Sequence, residues 1–208
     1  MSGTDDENGT EEEQGSGWPV DLDGVTESVV ATLGPNGLWN VAALGLFPTE
    51  PVTARTWGNT RTRRNFHRQD EGYVQFTRDP VDFVEAACGI YERDGPVLPS
   101  ADAWVRVAVE QVKEGESDGT RWEEWELRPV ESGIESRVVP ATSRGYYAVI
   151  EATVAASRLD VPSYDTEELL DRLAYFESVA ERCGSERDRE AFDRLAERSG
   201  WNRRSESF

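Results

Sequence analysis

Thr56-Trp57-Gly58-Asn59-Thr60-Arg61-Thr62-Arg63-Arg64-Asn65 carries most of what this chain says about itself. A strand-like run, Val52 to Trp57, leads into Gly58, and the residues from Thr60 to His67 read as a short helix. Between Pro51 and Gln69 stand five arginines (55, 61, 63, 64 and 68), one histidine and no acidic residue. The rest of the chain is strongly acidic, so this window needs a reason. A helix that opens just after a strand points the free N–H groups of its first turn at whatever lies before it. The hydroxyls of Thr60 and Thr62 add hydrogen bonds, and arginine forks can clamp an anion such as phosphate in bidentate fashion. Arg63 and Arg64 are adjacent and diverge on a helix, so at most one of them faces a ligand. The alternative is that these arginines pair with carboxylates elsewhere on the surface.

Acidity is the setting for that window. The chain has 208 residues, 41 acidic against 22 basic, and a net charge of -19, with Lys113 as its single lysine. A carboxylate-rich, lysine-poor surface stays hydrated and self-repelling in strong salt, which suits a high-salt cytoplasm and explains the charge without any function. It also argues against a nucleic-acid partner, whose phosphates need a basic footprint. Cys88 and Cys183 are far apart with no metal-ligand spacing, so two buried thiols are expected and no metal site. No apolar run reaches the length of a membrane span and no signal region opens the chain, so a cytoplasmic protein without a membrane partner is expected.

Three segments follow from the pattern. Residues 1–17 read as a disordered acidic tail, 18–140 as a barrel and 141–200 as a helical extension. In the middle segment Thr26 to Leu33 and Leu38 to Leu44 flank the turn Gly34-Pro35-Asn36-Gly37. Tyr73 to Arg78 alternates as a strand. Asp79-Pro80 then caps a short helix running to Cys88. Valines 105, 107 and 109 give Trp104 to Glu114 a period of two; a loop, Gly115 to Thr120, separates it from a strand over Arg121 to Val130. Six or seven short strands with two short helices suit a small antiparallel barrel. After Pro140 the spacing turns helical: Tyr146 to Leu159, Thr166 to Cys183 with Asp165 as cap and Gly184 as stop, and Glu186 to Ser199. The residues after Trp201 look frayed.

Asn40-Val41-Ala42-Ala43, then Arg61-Thr62-Arg63-Arg64-Asn65-Phe66, then Tyr73-Val74-Gln75-Phe76-Thr77 and Asp79-Pro80, resemble in order and spacing the FMN-binding split β-barrel superfamily, which includes flavin reductase-like and pyridoxamine-phosphate-oxidase-like proteins. Closer still is the resemblance to an archaeal family of FMN-binding split-barrel proteins with a helical C-terminal extension, over residues from about 18 to 200. The fold implied is a mainly β split barrel with an α-helical extension, α+β overall, working as a homodimer with FMN at the subunit interface. The phosphate would sit on the turn through Asn59, Thr60, Arg61, Thr62, Arg63 and Asn65, and the isoalloxazine against Asn40, Ala42 and Ala43, with Trp57 near enough to stack. The lysine–aspartate pair usual ahead of the threonine is here Asn59-Thr60-Arg61, so Thr62 carries over most directly. Ser143 to Ala152 resembles the extension's first helix, with Arg144 as a cap or contact and Glu151 as a candidate buried carboxylate pairing with Arg158 or an arginine of the turn.

The function implied is that of an FMN-binding flavoprotein, an oxidoreductase whose electron donor is a nicotinamide, a deazaflavin or a partner protein. The alternatives are a non-enzymatic flavin or phosphate carrier or sensor, and an anion-binding interaction protein without flavin. His67 is the single histidine and has no evident carboxylate or nucleophile partner in the sequence, which leaves no catalytic side chain to name. In a flavoprotein that is unsurprising, because the cofactor carries the chemistry.

Overall fold

The computed structural model describes residues 15–117 and 119–205. Of the acidic tail, residues 1–14 lie outside the described residues. Gly15 already exchanges backbone hydrogen bonds with Ser132, at 3.0 and 2.8 Å, and Trp18 and Leu22 pack on the barrel interior.

Strands β1 (Thr26–Leu33) and β2 (Trp39–Phe47) form the expected hairpin; β3 (Val52–Trp57), β4 (Glu71–Thr77), β6 (Ala101–Ser117) and β7 (Thr120–Ile134) complete a barrel. The order β1-β4-β6-β7-β3-β2 closes through the β1–β2 pairing, with every neighbour antiparallel. The short strand β5 (Tyr91–Arg93) pairs with the first residues of β2, Trp39 to Val41, whereas β3 holds only its last two, Leu46 and Phe47. The barrel therefore parts along β2. Valines 105, 107 and 109 of β6 point inward with Val30, Leu46, Val74 and Leu127, as the period of two required. Burying each such side chain is worth about 1.5–3 kcal/mol relative to exposure.

Helix α1 (Arg61–Gln69) adds Phe66 to that interior. Helix α2 (Pro80–Cys88) has two working faces. Phe83 and Ala86 lie on the outside of the barrel with Val29, Ala31 and Val41, while Val81 and Val84 join the core of the extension. The second core is built by α3 (Arg144–Ala156), α4 (Thr166–Cys183) and α5 (Glu186–Ser199), from Val149, Leu173, Phe192 and Leu195 among others. Salt bridges from α5 to Asp79 (Arg187, 2.9 Å) and to Glu85 of α2 (Arg198, 2.6 Å) join the two parts. At Gly145 a Cβ would stand 2.4 Å from Gly184 Cα, so only glycine lets α3 and the end of α4 meet.

Several expectations needed correction. β6 and β7 are long, 17 and 15 residues, and the loop expected over Gly115 to Thr120 is mostly strand. The residues after Ser199 form α6 (Trp201–Ser205), anchored by Trp201 in the extension's core. Glu151 is exposed and pairs with Arg172 at 3.5 Å, because it lies on the outer face of α3. Cys183 is exposed and Cys88 half-buried; desolvation, reinforced by Glu85, pushes the Cys88 thiol up to about 11. No helix among the described residues is long and apolar enough to cross a membrane.

Candidate functional site

The strand-to-helix turn is locally determined. Gly58 takes a positive φ of 64°, where a side chain would be strained, and its N–H bonds Arg121 O on β7 at 2.7 Å, which ends β3. Thr60 then caps α1: its Oγ1 accepts from Arg63 N at 3.3 Å, and its carbonyl accepts from Arg64 N at 3.3 Å. The amides of Arg61 and Thr62 have no hydrogen-bond partner among the described residues. There is no acidic residue in this first turn, and the basic residues of the last turn, His67 and Arg68, complement the opposite end of the helix dipole.

The arginines of the window divide into three groups. Arg61 and Arg64 stay at the N-terminus: Arg61 Nη1 donates to Glu92 Oε1 at 2.5 Å, and Arg64 Nη1 donates to Asn59 O and Oδ1 at 2.8 and 3.1 Å. Arg63 turns the other way, with Nη2 donating at 2.6 Å to Glu123 Oε1 on β7. Glu123 is 1% exposed, and its second oxygen meets His67 Nε2 at 2.7 Å, so one carboxylate holds two side chains a helical turn apart. The Arg63 hydrogen bond holds the Glu123 carboxyl below the usual carboxylate range, opposed by its burial. Arg55 pairs with Glu124 at 2.8 Å and stacks 4.6 Å over Trp122; Arg68 bonds Leu33 O at 3.0 Å and also Asn65 Oδ1. Pairing with carboxylates thus accounts for Arg55, Arg61 and Arg63, the alternative left open by the sequence. His67 has the carboxylate partner that its sequence neighbourhood did not reveal. It also lines a cleft of about 430 Å³ with Asp70, Trp125 and Arg128, toward the C-terminal end of α1.

Thr62 and Asn65 turn inward and are 5% and 3% exposed. Asn65 Nδ2 donates to Thr32 Oγ1 at 2.9 Å and Thr32 O at 3.3 Å, which ties α1 to β1. On β2, Asn40 lies opposite Thr32 on one side and Glu92 on the other. Asn40, Arg61 and Asn65 therefore converge around Thr32 and Glu92. Ala42 shares the face of Asn40 and packs with the barrel interior, whereas Ala43 packs with the cluster outside the barrel. Trp57, at the end of β3, is 47% exposed and lies opposite Trp122. Arg144 is exposed at the start of α3.

Sequence reasoning missed Glu92, Asn36, Thr32 and Glu123. Asn36 Nδ2 donates to Glu92 Oε1 at 3.3 Å. In a chain with 41 acidic residues nothing local singles out the two that meet the turn. Glu123 reaches the turn through the pairing of β7 with β3, which sets it opposite Thr56.

Comparisons with known proteins agree with this architecture. No curated protein matches the chain. Among solved structures it is similar to an FMN-bound protein from Methanosarcina mazei, assigned to DUF447, at 24% identity over 85% of this chain and 95% of that one, with a TM-score of 0.72. More distantly it is similar to the styrene monooxygenase flavin reductase of Pseudomonas putida S12 (12% identity, 56% and 93% covered, TM-score 0.40) and to a flavoredoxin from Methanosarcina acetivorans (10%, 60% and 79%, 0.41). The Methanosarcina mazei protein shares the fold, a closed six-stranded barrel with an added strand and C-terminal helices, as the motifs of β2, α1 and β4 implied. Residues 26–136 match the N-terminal domain of the proteins of unknown function termed DUF447, and residues 143–197 match a second DUF447 segment, so this chain belongs to the DUF447 family.

Proposed function

We propose that this protein is a flavoprotein that binds FMN non-covalently and works as a flavin-dependent oxidoreductase, a homodimer in the cytoplasm. The observation that carries the reading is the first turn of α1: two amides with no partner among the described residues, a threonine cap, and arginines where an acidic chain has every opportunity to place carboxylates. All of these groups donate hydrogen bonds, and a phosphate monoester is all acceptor, so the donor set fits the phosphate of FMN. The amides of Arg61 and Thr62, the Thr60 hydroxyl and the guanidinium groups of Arg61 and Arg64 would hold it. Asn40 and Ala42 stand on β2, where Asn40 lies opposite Glu92, the partner of Arg61, and would face the ring system, with Trp57 at its margin. Arg63 and Asn65 act on α1 itself, through Glu123 and Thr32.

Bound flavin would supply the redox chemistry, taking electrons from a donor such as a nicotinamide and passing them to an acceptor. The protein's share is binding, orientation and charge. The fold likeness to an FMN-bound member of the same family supports the cofactor. An absorbance spectrum of the purified protein, before and after FMN is added in molar salt, tests the reading directly. Uptake with a flavin spectrum that a reduced nicotinamide bleaches supports an oxidoreductase; uptake that stays inert supports a carrier or sensor. Failure to take up FMN would overturn both. Replacing Arg61 and Thr62 together by alanine should abolish uptake, and unchanged uptake in that double variant would overturn the site.

A further inference from the structure

Among the described residues, Glu92 alone supplies a carboxylate to Arg61. Its Oε1 receives Arg61 Nη1 at 2.5 Å and Asn36 Nδ2 at 3.3 Å. It is delivered by β5, the three-residue strand laid along Trp39 to Val41 of β2, directly opposite Asn40. The pair is not sealed: the side chains of Arg61 and Glu92 are 41% and 26% exposed, so solvent and ions reach it. A carboxylate therefore sits at the mouth of a site built to attract an anion. In the rest of α1's first turn no acid occurs at all.

We infer that Glu92 is a resident counter-anion that sets the anion selectivity of the α1 turn, competing with a phosphate monoester for Arg61. This rests on the phosphate assignment made above. A phosphate on the amides of Arg61 and Thr62 meets two effects of Glu92: it must share or displace the carboxylate on Arg61, and it feels like-charge repulsion from it. Both weaken phosphate binding at low salt, and salt screens both, because the screening length falls from about 10 Å at 0.1 M to about 3 Å at 1 M. A monovalent anion such as chloride offers neither a bidentate fork nor a second charge, so it does not displace Glu92. The carboxylate thus keeps Arg61 out of the reach of chloride while leaving it available to phosphate, which suits an arginine site on a protein whose net charge of -19 fits a saline medium.

The test is the affinity of Glu92→Gln for FMN and for riboflavin, which lacks the phosphate, measured by flavin fluorescence as KCl is raised from about 0.1 to about 2 M. Glutamine still accepts from Arg61 and Asn36, so the contact geometry is retained. At low salt the variant should bind FMN about five- to tenfold tighter than the parent, the scale of one partly exposed charge pair, and this advantage should vanish at high salt. Riboflavin affinity should differ by less than about twofold. Glu92→Ala, which removes charge and acceptor together, should change FMN affinity in the same direction. Equal FMN affinities of parent and Glu92→Gln at low salt, or an equal gain for riboflavin, would overturn the role of Glu92 while leaving the phosphate site standing. Absence of FMN uptake by both proteins would overturn the phosphate site and this inference with it.

Discussion

Helices α1 and α5 both begin at a hydroxyl cap, Thr60 and Ser185, each accepting from the amide three residues on. Beyond the cap they diverge. In α5 the first turn holds Glu186 and Asp188, and Asp188 Oδ2 accepts from Ser185 N at 2.8 Å and from Ser185 Oγ at 2.9 Å, closing a capping box. The positive end of that helix is answered from within. In α1 the same two positions carry Arg61 and Arg63, with Arg64 following as Arg189 does in α5, so positive side chains are added to a positive helix end with no acid beside them. α4 repeats the pattern of α5, with Asp165 accepting from the amides of Glu167 and Glu168 at 2.9 and 3.1 Å. The first turn of α3 also lacks an acid and opens on Arg144, but only in α1 do three arginines follow the cap within four residues, and the proposed phosphate site rests on that excess. Arg63 is the compromise in this arrangement, because Glu123 draws it off the site and uses it, with His67, to pin α1 to β7.

Making α1 resemble α5 should have the largest effect. Arg61→Glu places an acid at the first helical position and should weaken FMN binding by about a hundredfold or more, while the melting temperature of the flavin-free protein changes little. A fluorescence titration beside a thermal melt reads both, and undiminished affinity would break the comparison. Next comes the clasp behind the helix. Glu123→Ala leaves Arg63 and His67 without their shared partner and should cost about 2–3 kcal/mol in a denaturant titration.

The same clasp makes a pH prediction. Glu123 is held below its ordinary carboxylate range chiefly by Arg63, so its contribution to stability is complete above a pH of about 4.5, its unfolded value. It is lost as pH falls through the lower, folded value. Glu123→Gln should therefore flatten the fall in stability below that pH relative to the parent, as followed by denaturation at a series of acid pH values. Smallest are the caps themselves. Ser185→Ala and Thr60→Ala should each cost about 1 kcal/mol of stability, but only Thr60→Ala should also loosen FMN. Equal FMN affinity in the two variants would remove the Thr60 hydroxyl from the site.

The parts of the fold that were legible are those decided by neighbours in sequence. Gly58 and Thr60 mark the turn, Asp79-Pro80 starts α2, and Asp165 and Gly184 bound α4, because capping and turn formation need only a few adjacent residues. Valines 105, 107 and 109 disclosed the inner face of β6 for the same reason. β5 was missed since three residues carry no period, and it exists only by pairing with β2. α6 was missed because Trp201 earns its helix from the α3–α5 core, not from local signals. Glu151 was read as buried from its apolar neighbours, yet helical geometry turned it to solvent and toward Arg172.

On its own, then, the order of residues determined the barrel's strands, the helical extension and a cation-rich helix start, all governed by short-range sterics, periodicity and charge count. Tertiary structure decided which carboxylates meet those cations. Glu92 and Glu123 lie 31 and 60 residues from the arginines they bind, and only closure of the barrel brings β5 and β7 to α1. Electrostatic partnership falls off with distance in space and is indifferent to distance along the chain, so the split of the arginines between the start of α1 and the clasp on buried Glu123 became visible only in the folded molecule.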